Sequence, residues 1–463
     1  MKKRGYVVYE IFPDRFNASS KKEGMIQWHV PVEKKPAGAH QFDFYGGDLI
    51  GIADKCDYLK TLGIGLLYMT PIFKAMTNHR YDCVDYFSID PILGTEKDLK
   101  TLIDTCHKNG IRVVLDGVFN HIGMNNPWYK DPAYRDFLNE KNGEITWWGS
   151  HKGLPELNLD NLQLRDLLWN KRDSVVQKWT GLGVDDWRLD CAYDVGYDYC
   201  KELSGVLKSM GDHDTIGEIW SYPGEWVKNG VLDGVMNYYF RELIKSYLEG
   251  KLTGTMLTAV VEKTIDDSKL EAILKSWNVL SSHDTPRVKN DFSDKWKLAV
   301  ALQFTLPGSP MVYYGEELGL SSETDPYCRQ PMPWKDLHID PETFSFYKKM
   351  IALYNDKPAL HAGNFGVLEY SNSQLLAFSR FTHDIKDYLV IIINPSDQSQ
   401  SFQLISRESS LMNGSKMVAL HSKKKADICN SMIYGTIEAH SYEIYELEIN
   451  KTGYSPYKRL SNQ

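Results

Sequence analysis

Eight short apolar runs rich in β-forming residues recur along the first two thirds of the sequence, and their regular spacing limits the possible fold more than any other feature. The runs are VVYEIF at 7–12, GLLYM at 65–69, RVVLDG at 112–117, VDDWRLD at 184–190, TIGEI at 215–219, LDGVMN at 232–237, WNVLSSHD at 277–284 and PMVYYG at 310–315. Stretches with helical spacing lie between most of them, as at Leu99, Leu102 and Ile103. Alternating strands and helices form right-handed βαβ units, so the sequence predicts an α/β protein with a closed (β/α)₈ TIM barrel. A doubly wound open sheet is the alternative.

Two segments depart from this alternation. Residues 122–161 are non-periodic and rich in Asn, Gly, Trp and Pro, which favours a small excursion after strand 3, over the mouth of the barrel. After about residue 365 the pattern changes to alternating β runs without helices, which predicts a C-terminal antiparallel β-sandwich over 365–463. The catalytic barrel is therefore expected to comprise 1–121 and 162–364.

The net charge limits the class of binding partner, and the cysteines indicate the cellular compartment. A formal net charge of -8 gives no basic face for nucleic acid or for an anionic membrane, so a neutral substrate fits better. No apolar stretch approaches the roughly 18 residues of a membrane span, and the basic start is broken by Glu10 and Pro13, so we expect neither an anchor nor a signal peptide. The 7 cysteines are scattered without zinc-binding spacing, which indicates reduced thiols and a cytoplasmic protein.

Polar residues close the predicted strands with notable regularity. Asp116, Asn120 and His121 end the third strand, Arg188 and Asp190 the fourth, Glu218 the fifth, and His283 and Asp284 the seventh. A single acid in such a position is often a helix cap. The carboxyl ends of parallel barrel strands meet at one mouth, however, and several acids crowded there are costly unless they are used.

This set of acids suits cleavage of a glycosidic bond with retention of configuration. That reaction needs one carboxylate as the nucleophile and one carboxylic acid as the proton donor, roughly 5–5.5 Å apart. Arg188 shares a strand face with Asp190 and is expected to keep it ionised as the nucleophile. Glu218 has apolar neighbours, which predicts a raised pKa and the role of acid. Asp284 remains for transition-state stabilisation, with His121 and His283 close to the sugar hydroxyls.

Five ordered motifs resemble the α-amylase family of glycoside hydrolases, family 13. They are DGVFNH at 116–121, LPELN at 154–158, GVDDWRLD at 183–190, GEIW at 217–220 and SSHDTPR at 281–287. The resemblance covers nearly the whole chain. It implies that Asp190 is the nucleophile, Glu218 the acid/base and Asp284 the transition-state stabiliser.

Four further segments are similar to the neopullulanase, cyclomaltodextrinase and maltogenic amylase branch of that family. They are YEIFPDRF at 9–16, FYGGDLIGI at 44–52, NHRYDCVDYFSIDP at 78–91 and DPYCRQPMPW at 325–334. The resemblance implies that Tyr81 stacks on the attacked sugar, that Asp325 and Arg329 hold the next sugar, and that Trp220 lines the leaving-group side. The full expected set of substrate-binding residues is Tyr81, Asp85, His121, Arg188, Trp220, His283, Arg287, Asp325 and Arg329. Core or loop packing is the alternative for each.

The sequence also departs from that branch. Its members often carry an extra N-terminal β-domain used in dimerisation, whereas this sequence begins at the first predicted strand; dimerisation by that route is not expected, and the oligomeric state stays open. Secreted relatives bind calcium through the equivalent of Asn120 and a His after the nucleophile, but CAYDVGYD after Asp190 lacks a Lys-His pair. A second calcium site matches poorly over 17–20, apart from Gly47 and Asp48 nearby. We expect no required cofactor and no bound metal.

The resemblance thus implies a hydrolase of α-1,4 glucosidic bonds, and of α-1,6 bonds as a further option, in maltodextrins, cyclodextrins or related oligosaccharides. Its covalent intermediate would also permit transfer to a second sugar. A relative specific for another linkage, such as an α-1,6-glucosidase, would keep every catalytic residue and is the alternative. A non-catalytic scaffold of the same fold is disfavoured by the complete set of acids and by the absence of a membrane anchor.

Overall fold

The computed structural model describes residues 5–32, 39–407 and 411–449. Parts of the segments predicted above, namely residues 1–4 and 33–38 of the barrel and residues 408–410 and 450–463 of the C-terminal module, lie outside the described residues.

Eight parallel strands close into a barrel, which confirms the predicted fold class. The strands are β1 (Val8–Ile11), β2 (Leu66–Met69), β3 (Arg112–Gly117), β4 (Asp186–Leu189), β5 (Thr215–Ile219), β6 (Gly234–Asn237), β7 (Trp277–Val279) and β8 (Ser309–Tyr313). Each strand pairs with its neighbour in sequence, and β1 pairs with β8 to complete the ring. All eight predicted runs contribute a strand, and the run at 277–284 is strand only over its first three residues.

Helices surround the barrel and occupy the connections between its strands. The α-helices span Pro13–Phe16, Leu49–Ala53, Cys56–Leu62, Glu96–Lys108, Pro127–Lys130, Leu162–Arg165, Val175–Leu182, Ala192–Val195, Tyr197–Met210, Gly224–Val227, Tyr238–Leu248, Gly254–Asp267, Leu270–Lys275, Val288–Phe292, Trp296–Thr305, Pro341–Asp356 and Pro358–His361. Short 3₁₀ segments lie at Ala39–Phe42, Pro132–Phe137, Lys228–Gly230, Ser293–Lys295, Tyr327–Arg329 and Ile385–Asp387, and a π-helical turn at Asp166–Asn170. A capping box at Thr95 and Asp98 begins the helix after β2.

The inside of the barrel has an apolar floor and a polar upper layer. Inward-facing side chains near the start and middle of the strands, among them Val8, Val114, Ile216 and Met311, form one buried apolar cluster. Because side chains alternate along a strand, the residue two positions after an apolar one faces inward again, closer to the carboxyl end. On β1 that position is Glu10, which is fully buried.

The segment after β3 lies over the barrel mouth and is tied to it by short β contacts. His121 pairs with Glu156 in an isolated antiparallel bridge, and a two-residue hairpin joins Glu140–Lys141 to Glu144–Ile145. A second hairpin, Phe73–Ala75 with Cys83–Ile89, follows β2. Both excursions leave from the carboxyl ends of strands, so they form walls around the mouth.

The C-terminal strands form one continuous antiparallel sheet that curls around its own core. They are β9 (Asn364–Val367), β10 (Leu376–Phe381), β11 (Leu389–Asn394), β12 (Gln400–Ile405), β13 (Lys416–Ala419), β14 (Lys425–Cys429), β15 (Met432–Ile437) and β16 (Ser441–Leu447). Their order is β9-β10-β11-β16-β13-β14-β15-β12, and a bridge between Glu369 and Ile405 brings the two ends together. On β11, Val390 and Ile392 face the curled core, whereas Ile391 and Ile393 pack against the barrel domain, so the run is apolar on both faces.

Candidate active site

A cleft of about 1250 Å³ opens at the carboxyl ends of the barrel strands. Its floor contains Asp190, Glu218 and Asp284, so the fold brings the three predicted catalytic acids to one place. Its walls come from the excursions after β2 and β3 and from the segment that follows β8. Of the other predicted site residues, Tyr81, His121, Trp220, Asp325 and Arg329 also line this cleft.

A single buried guanidinium links the acids of the floor. Arg188 lies opposite Asp116 in the register of β3 and β4, and its Nη1 donates to Asp116 Oδ1 at 2.8 Å and to Asp190 Oδ1 at 2.7 Å. Its Nη2 lies 2.9 Å from Oε2 of Glu218. Asp190 thus accepts a hydrogen bond from one terminal nitrogen of this planar group and Glu218 forms an ion pair with the other, so the two acids are close neighbours.

Arg188 was expected to keep Asp190 ionised, but the pKa of Asp190 depends on more than this one cation. Burial raises the pKa of Asp190, Arg188 offsets this only in part, and the nearby carboxylates of Glu218 and Asp116 raise the pKa further. The sequence shows that Arg188 lies close to Asp190, but it does not show how deeply Asp190 is buried. Because burial and two neighbouring carboxylates outweigh one cation, the pKa of Asp190 lies above the usual range of a carboxylic acid, at about 8.

Both carboxylate oxygens of Glu218 are held by specific donors. Oε2 accepts a hydrogen bond from the backbone N–H of Cys191 at 3.0 Å, and Oε1 accepts one from Trp220 Nε1 at 3.0 Å. The Trp220 ring stacks on Tyr238 with centroids 3.8 Å apart, yet 52% of Trp220 stays exposed. Trp220 thus orients the acid with its nitrogen and offers a flat apolar face to the cleft.

The third acid belongs to a separate charged group around His283. The imidazole Nε2 lies 2.9 Å from Asp284 Oδ2 and 2.7 Å from the Tyr81 hydroxyl, and Nδ1 lies 2.6 Å from Glu10 Oε1. Burial alone would lower the pKa of His283, but Asp284 and Glu10 outweigh it and raise that pKa to about 10. Burial would raise the pKa of Asp284, but the His283 cation, followed by Arg329, moves it well below its usual range.

Tyr81 forms the wall beside these acids. Its ring is stacked with that of His283, with centroids 5.4 Å apart and an interplanar angle of 13°, and its hydroxyl donates to Asp116 at 3.0 Å. The ring is fixed from behind and borders the cleft, as stacking on a bound sugar requires.

Arg329 and Asp325 lie together at the cleft, but Arg329 also contacts a catalytic acid. Its Nη1 lies 3.1 Å from Asp325 Oδ1, whereas its Nη2 donates to Asp284 Oδ1 at 3.2 Å and its Nε to the carbonyl of His283 at 3.0 Å. Arg329 is 7% exposed, and the Asp325 side chain is 32% exposed. The sequence pattern linked both residues only to the neighbouring sugar, so it missed the role of Arg329 in holding Asp284.

Four predicted substrate-binding residues do not line the cleft. Arg188 and His283 contact the catalytic acids from behind, whereas the other two, Asp85 and Arg287, are bound elsewhere.

Asp85 accepts hydrogen bonds from the backbone of Phe87 at 2.9 Å and from the Ser88 hydroxyl at 2.5 Å, so it stabilises its own strand. Asp82, three positions earlier, lines the cleft instead. The structure therefore does not place Asp85 at the cleft, and the hydrogen bonds to Phe87 and Ser88 keep its carboxylate within its own hairpin.

Arg287 is the second of the two residues bound elsewhere. It is fully buried, and its two terminal nitrogens each donate at 2.8 Å, one to the carbonyl of Tyr314 and the other to that of Cys328. Arg287 therefore supports the segment that carries Arg329 and does not reach a ligand in the cleft.

Several residues in or beneath the cleft were not identified from the sequence. Glu10 satisfies the same criterion that selected the other acids, an inward position near the end of a barrel strand, and the criterion applied to β1 would have found it. His79, Trp148, Tyr193 and Cys191 line the cleft itself. Tyr193 lies in the four-residue helix Ala192–Val195 and the other three lie in loops, so no sequence periodicity predicts their side-chain directions.

The segment near Asp48 has the oxygen-rich environment of a cation site, and a lysine occupies it. Nζ of Lys22 lies 2.7 Å from Asp48 Oδ2, 3.0 Å from the carbonyl of Gly46 and 2.8 Å from that of Ile92. Asp48 also accepts from Ser19 Oγ at 2.9 Å. A calcium ion would need these same oxygens, so the residues present do not fit a metal while the ammonium of Lys22 is there.

The cysteines and the helices add two observations. All seven cysteines fall within the described residues and carry free thiols. Among the helices of the described ranges, none combines the length and the apolar character that a bilayer crossing requires.

Comparisons with known proteins agree with this geometry. Residues 10–357 match the family model described as "Alpha amylase, catalytic domain". The chain is 32% identical to "Neopullulanase 2" of Thermoactinomyces vulgaris over 428 residues, covering 87% of this chain and 71% of that protein. It is 33% identical to "Intracellular maltogenic amylase" of Bacillus subtilis over 421 residues, covering 86% and 70%. The solved structure of the cyclic α-maltosyl-(1→6)-maltose hydrolase of Arthrobacter globiformis is similar, with a TM-score of 0.77, 31% identity and coverage of 86% of this chain and 92% of that one.

Proposed function

This chain belongs to the α-amylase family of glycoside hydrolases, and on that premise we propose that it cleaves α-glucosidic bonds in maltodextrins, cyclodextrins or related oligosaccharides with retention of configuration. The observation that carries the proposal is the contact of Arg188 with both Asp190 and Glu218. One guanidinium that holds both carboxylates favours the short separation of a retaining pair, roughly 5–5.5 Å, over the wider inverting one, which must leave room for a water molecule.

In the proposed mechanism, Asp190 attacks the anomeric carbon while Glu218 protonates the leaving oxygen. Arg188 and Asp116 keep Asp190 in place, and the hydrogen bonds from Trp220 and from the backbone of Cys191 orient Glu218. This step requires the proton on Glu218 and the negative charge on Asp190. After the first step, Glu218 takes a proton from water, and that water releases the sugar from Asp190.

Asp284 stabilises the positive charge that develops on the sugar in the transition state. Its ionised state is maintained by the neighbouring His283 cation and by Arg329. Tyr81 supplies a flat face beside the same position, and Trp220 supplies one on the leaving-group side. The charge is therefore stabilised by groups that are already oriented before the substrate arrives.

The proposed substrates follow from the shape of the site and from the names of the relatives. The cleft is neutral to acidic and bordered by aromatic rings, which suits uncharged sugars with apolar faces. The relatives' names refer to maltose-forming activity, to pullulan and to a cyclic saccharide with a 1→6 link. We therefore include α-1,4 bonds and α-1,6 bonds in the proposal, with a single-linkage α-1,6-glucosidase as the alternative.

Product analysis on maltotriose, pullulan, isomaltose and β-cyclodextrin tests this proposal. We expect cleavage of maltotriose and β-cyclodextrin, with the first product released as the α-anomer and detected by NMR. Activity on isomaltose alone would favour the linkage-specific alternative. Release of the β-anomer would contradict the retaining mechanism.

We also propose that hydrolysis requires no bound metal. This proposal is supported by the Lys22 ammonium, which contacts the three oxygens that a calcium ion would need near Asp48. Near the nucleophile, the side-chain amide of Asn120 lies 3.3 Å from Nδ1 of His121. Full activity after exhaustive treatment with EDTA is the expected result, and loss that calcium restores would contradict it.

A location inside the cell is proposed as well. Seven free thiols suit a reducing compartment, and the relative from Bacillus subtilis is named as intracellular. Fractionation of the native host, with antibody detection in the cytosolic fraction, is the test.

A further inference from the structure

Three potential metal ligands meet at the floor of the cleft. One donor atom each from His121, Asp190 and Cys191 lies within 4.8 Å of the other two. His121 is 1% exposed and Asp190 is 5% exposed, while Cys191 is partly exposed to the cleft. The three residues come from the ends of β3 and β4, so the barrel itself fixes their separation.

Two of these donor atoms have no hydrogen-bond partner among the described residues. They are Nε2 of His121 and Oδ2 of Asp190, which lie 4.0 Å apart. Buried polar atoms are rarely left unpaired, because an unmade hydrogen bond is costly away from water. Both atoms are therefore available to a ligand that enters the cleft.

The imidazole of His121 is in the protonation state that a metal ion requires. Burial, and then the nearby His151, lower the pKa of His121 to about 3, so the ring is neutral at physiological pH. Nδ1 of His121 lies 3.3 Å from the side-chain amide of Asn120, and Nε2 has no partner among the described residues. A metal ion on Nε2 requires the proton on Nδ1, with the Asn120 amide turned so that its oxygen accepts that proton.

Cys191 adds a sulfur ligand to the nitrogen and the oxygen. It follows β4 directly with φ of 45°, and its side chain lines the cleft. Burial and the adjacent carboxylates of Asp190 and Glu218 raise the pKa of this thiol well above its ordinary value. The free protein therefore carries a thiol here, and a bound cation would displace its proton.

We propose that this cluster binds Zn²⁺ and that the bound ion inhibits the enzyme. One nitrogen, one sulfur and one oxygen with an open fourth position is a zinc ligand set, whereas Ca²⁺ and Mg²⁺ prefer oxygen alone. Donors on a tetrahedral zinc ion lie roughly 3.3–3.7 Å apart, so the side chains of the cluster must close on the ion by up to about 1 Å.

The binding reaction releases protons and involves no oxidation. Zn²⁺ forms bonds to the Cys191 sulfur, to Nε2 of His121 and to the Asp190 carboxylate, and any proton on the thiol or on the carboxyl passes to solvent. The ion then covers Oδ2 of Asp190, the oxygen left free by Arg188. Zinc and oligosaccharide should therefore compete for the site, and inhibition should strengthen as the pH rises.

Binding of Co²⁺ to the intact chain tests the site without reference to catalysis. A cobalt–thiolate bond absorbs in the near ultraviolet, so we expect such a band for the wild-type protein and its loss in Cys191→Ala. The matched control is Cys429→Ala, which removes an exposed thiol far from the cleft and should keep the band. Absence of the band in folded wild-type protein would overturn the proposal.

The inhibition experiment rests on the proposed hydrolase activity and is judged separately. We expect Zn²⁺ to inhibit maltotriose hydrolysis competitively, and Cys191→Ala or Cys191→Ser to weaken this inhibition at least tenfold relative to each variant's own metal-free rate. Cys429→Ala should respond like the wild type. Equal zinc sensitivity of the Cys191 variants would overturn the assignment, while a cobalt band without any hydrolysis would refute the proposed function and leave the metal site standing.

Discussion

Oε1 of Glu10 lies 2.6 Å from Nδ1 of His283 beneath the cleft. Glu10 comes from the first barrel strand and His283 from the loop after the seventh, so this pair joins opposite ends of the barrel sequence. On its other side His283 faces Asp284 and the Tyr81 hydroxyl, and the Arg329 guanidinium donates to the His283 carbonyl at 3.0 Å. Arg188 is a further cation that acts on Glu10. Glu10 thus acts on the catalytic acid Asp284 through an intervening cation.

Because Glu10 contacts His283, the Glu10→Gln variant should show a changed pH dependence of kcat/KM. The folded-state pKa of His283 is raised from 6.5 to about 10, so the stabilising charge is present below about pH 6.5 and is lost as the pH rises through about 10. Glutamine keeps an acceptor for Nδ1 but removes the negative charge. We expect the alkaline limb of kcat/KM to move to lower pH by roughly one to three units.

Glu317→Gln is the matched control for this change. Glu317 is equally buried, but it accepts from Tyr9 and Tyr58 and does not contact His283. Its substitution should lower stability and leave the alkaline limb in place. If both variants shift the alkaline limb of kcat/KM equally, the effect of Glu10→Gln reflects a general loss of packing.

Asp190→Asn should reduce kcat by several orders of magnitude with the fold intact, because no other side chain can take the place of the nucleophile. In this variant Arg188 still contacts Asp116 and Glu218, so its buried charge remains paired. The measurements are turnover of maltotriose and the circular dichroism spectrum. Near-normal turnover by a preparation free of wild-type enzyme would mean that the nucleophile lies elsewhere.

The loss of activity in Arg329→Ala and in Asp325→Ala should depend differently on the length of the substrate. Arg329 donates to Asp284, so its removal disturbs the transition state of every substrate, and we expect at least a tenfold loss in kcat for both maltotriose and an aryl α-glucoside. Asp325 contacts Arg329 and His40 at the more exposed part of the cleft. Its removal should lower kcat/KM about tenfold for maltotriose and far less for the aryl glucoside.

The aryl glucoside fills only the attacked position, so it separates the two roles. Wild-type turnover of this substrate by Arg329→Ala would show that the contact with Asp284 is unimportant for catalysis. Equal losses on both substrates in Asp325→Ala would indicate a structural role for the segment from 325 to 334.

Lys22→Ala should destabilise the protein and create a response to calcium. Removal of the ammonium leaves the buried Asp48 carboxylate without its cation, which costs about 1–3 kcal/mol of unfolding free energy. Millimolar Ca²⁺ should then raise the melting temperature of the variant, because the three oxygens become free to bind it, and should leave the wild type unchanged. Lys60→Ala, on an exposed helix position, is the control. A wild-type protein stabilised by calcium would contradict the assignment.

Most of the fold and the three acids of the site could be predicted because they depend on local periodicity. A run such as RVVLDG at 112–117 defines a strand, and the alternation along it fixes which side chains face inward. Parallel strands end at one mouth, so Asp190, Glu218 and Asp284 had to converge once the strands were assigned. Asp85 was expected at the cleft from a resemblance, but in the structure its carboxylate bonds within its own hairpin, a contact that strand periodicity does not predict.

The sequence by itself determined the barrel, the antiparallel β character of the C-terminal module and the position of the acids, because strand period, strand direction and apolar pattern are properties of neighbouring residues. Only the tertiary structure decided that Arg188 is shared by three carboxylates, that Glu10 supports His283, that Arg329 holds Asp284 and that Lys22 occupies the oxygens around Asp48. Each of these contacts joins residues brought together by barrel closure or by loop conformation, and burial then sets their charges. Burial depends on the whole fold, so the raised pKa of Asp190 could not be inferred from Arg188 two positions away.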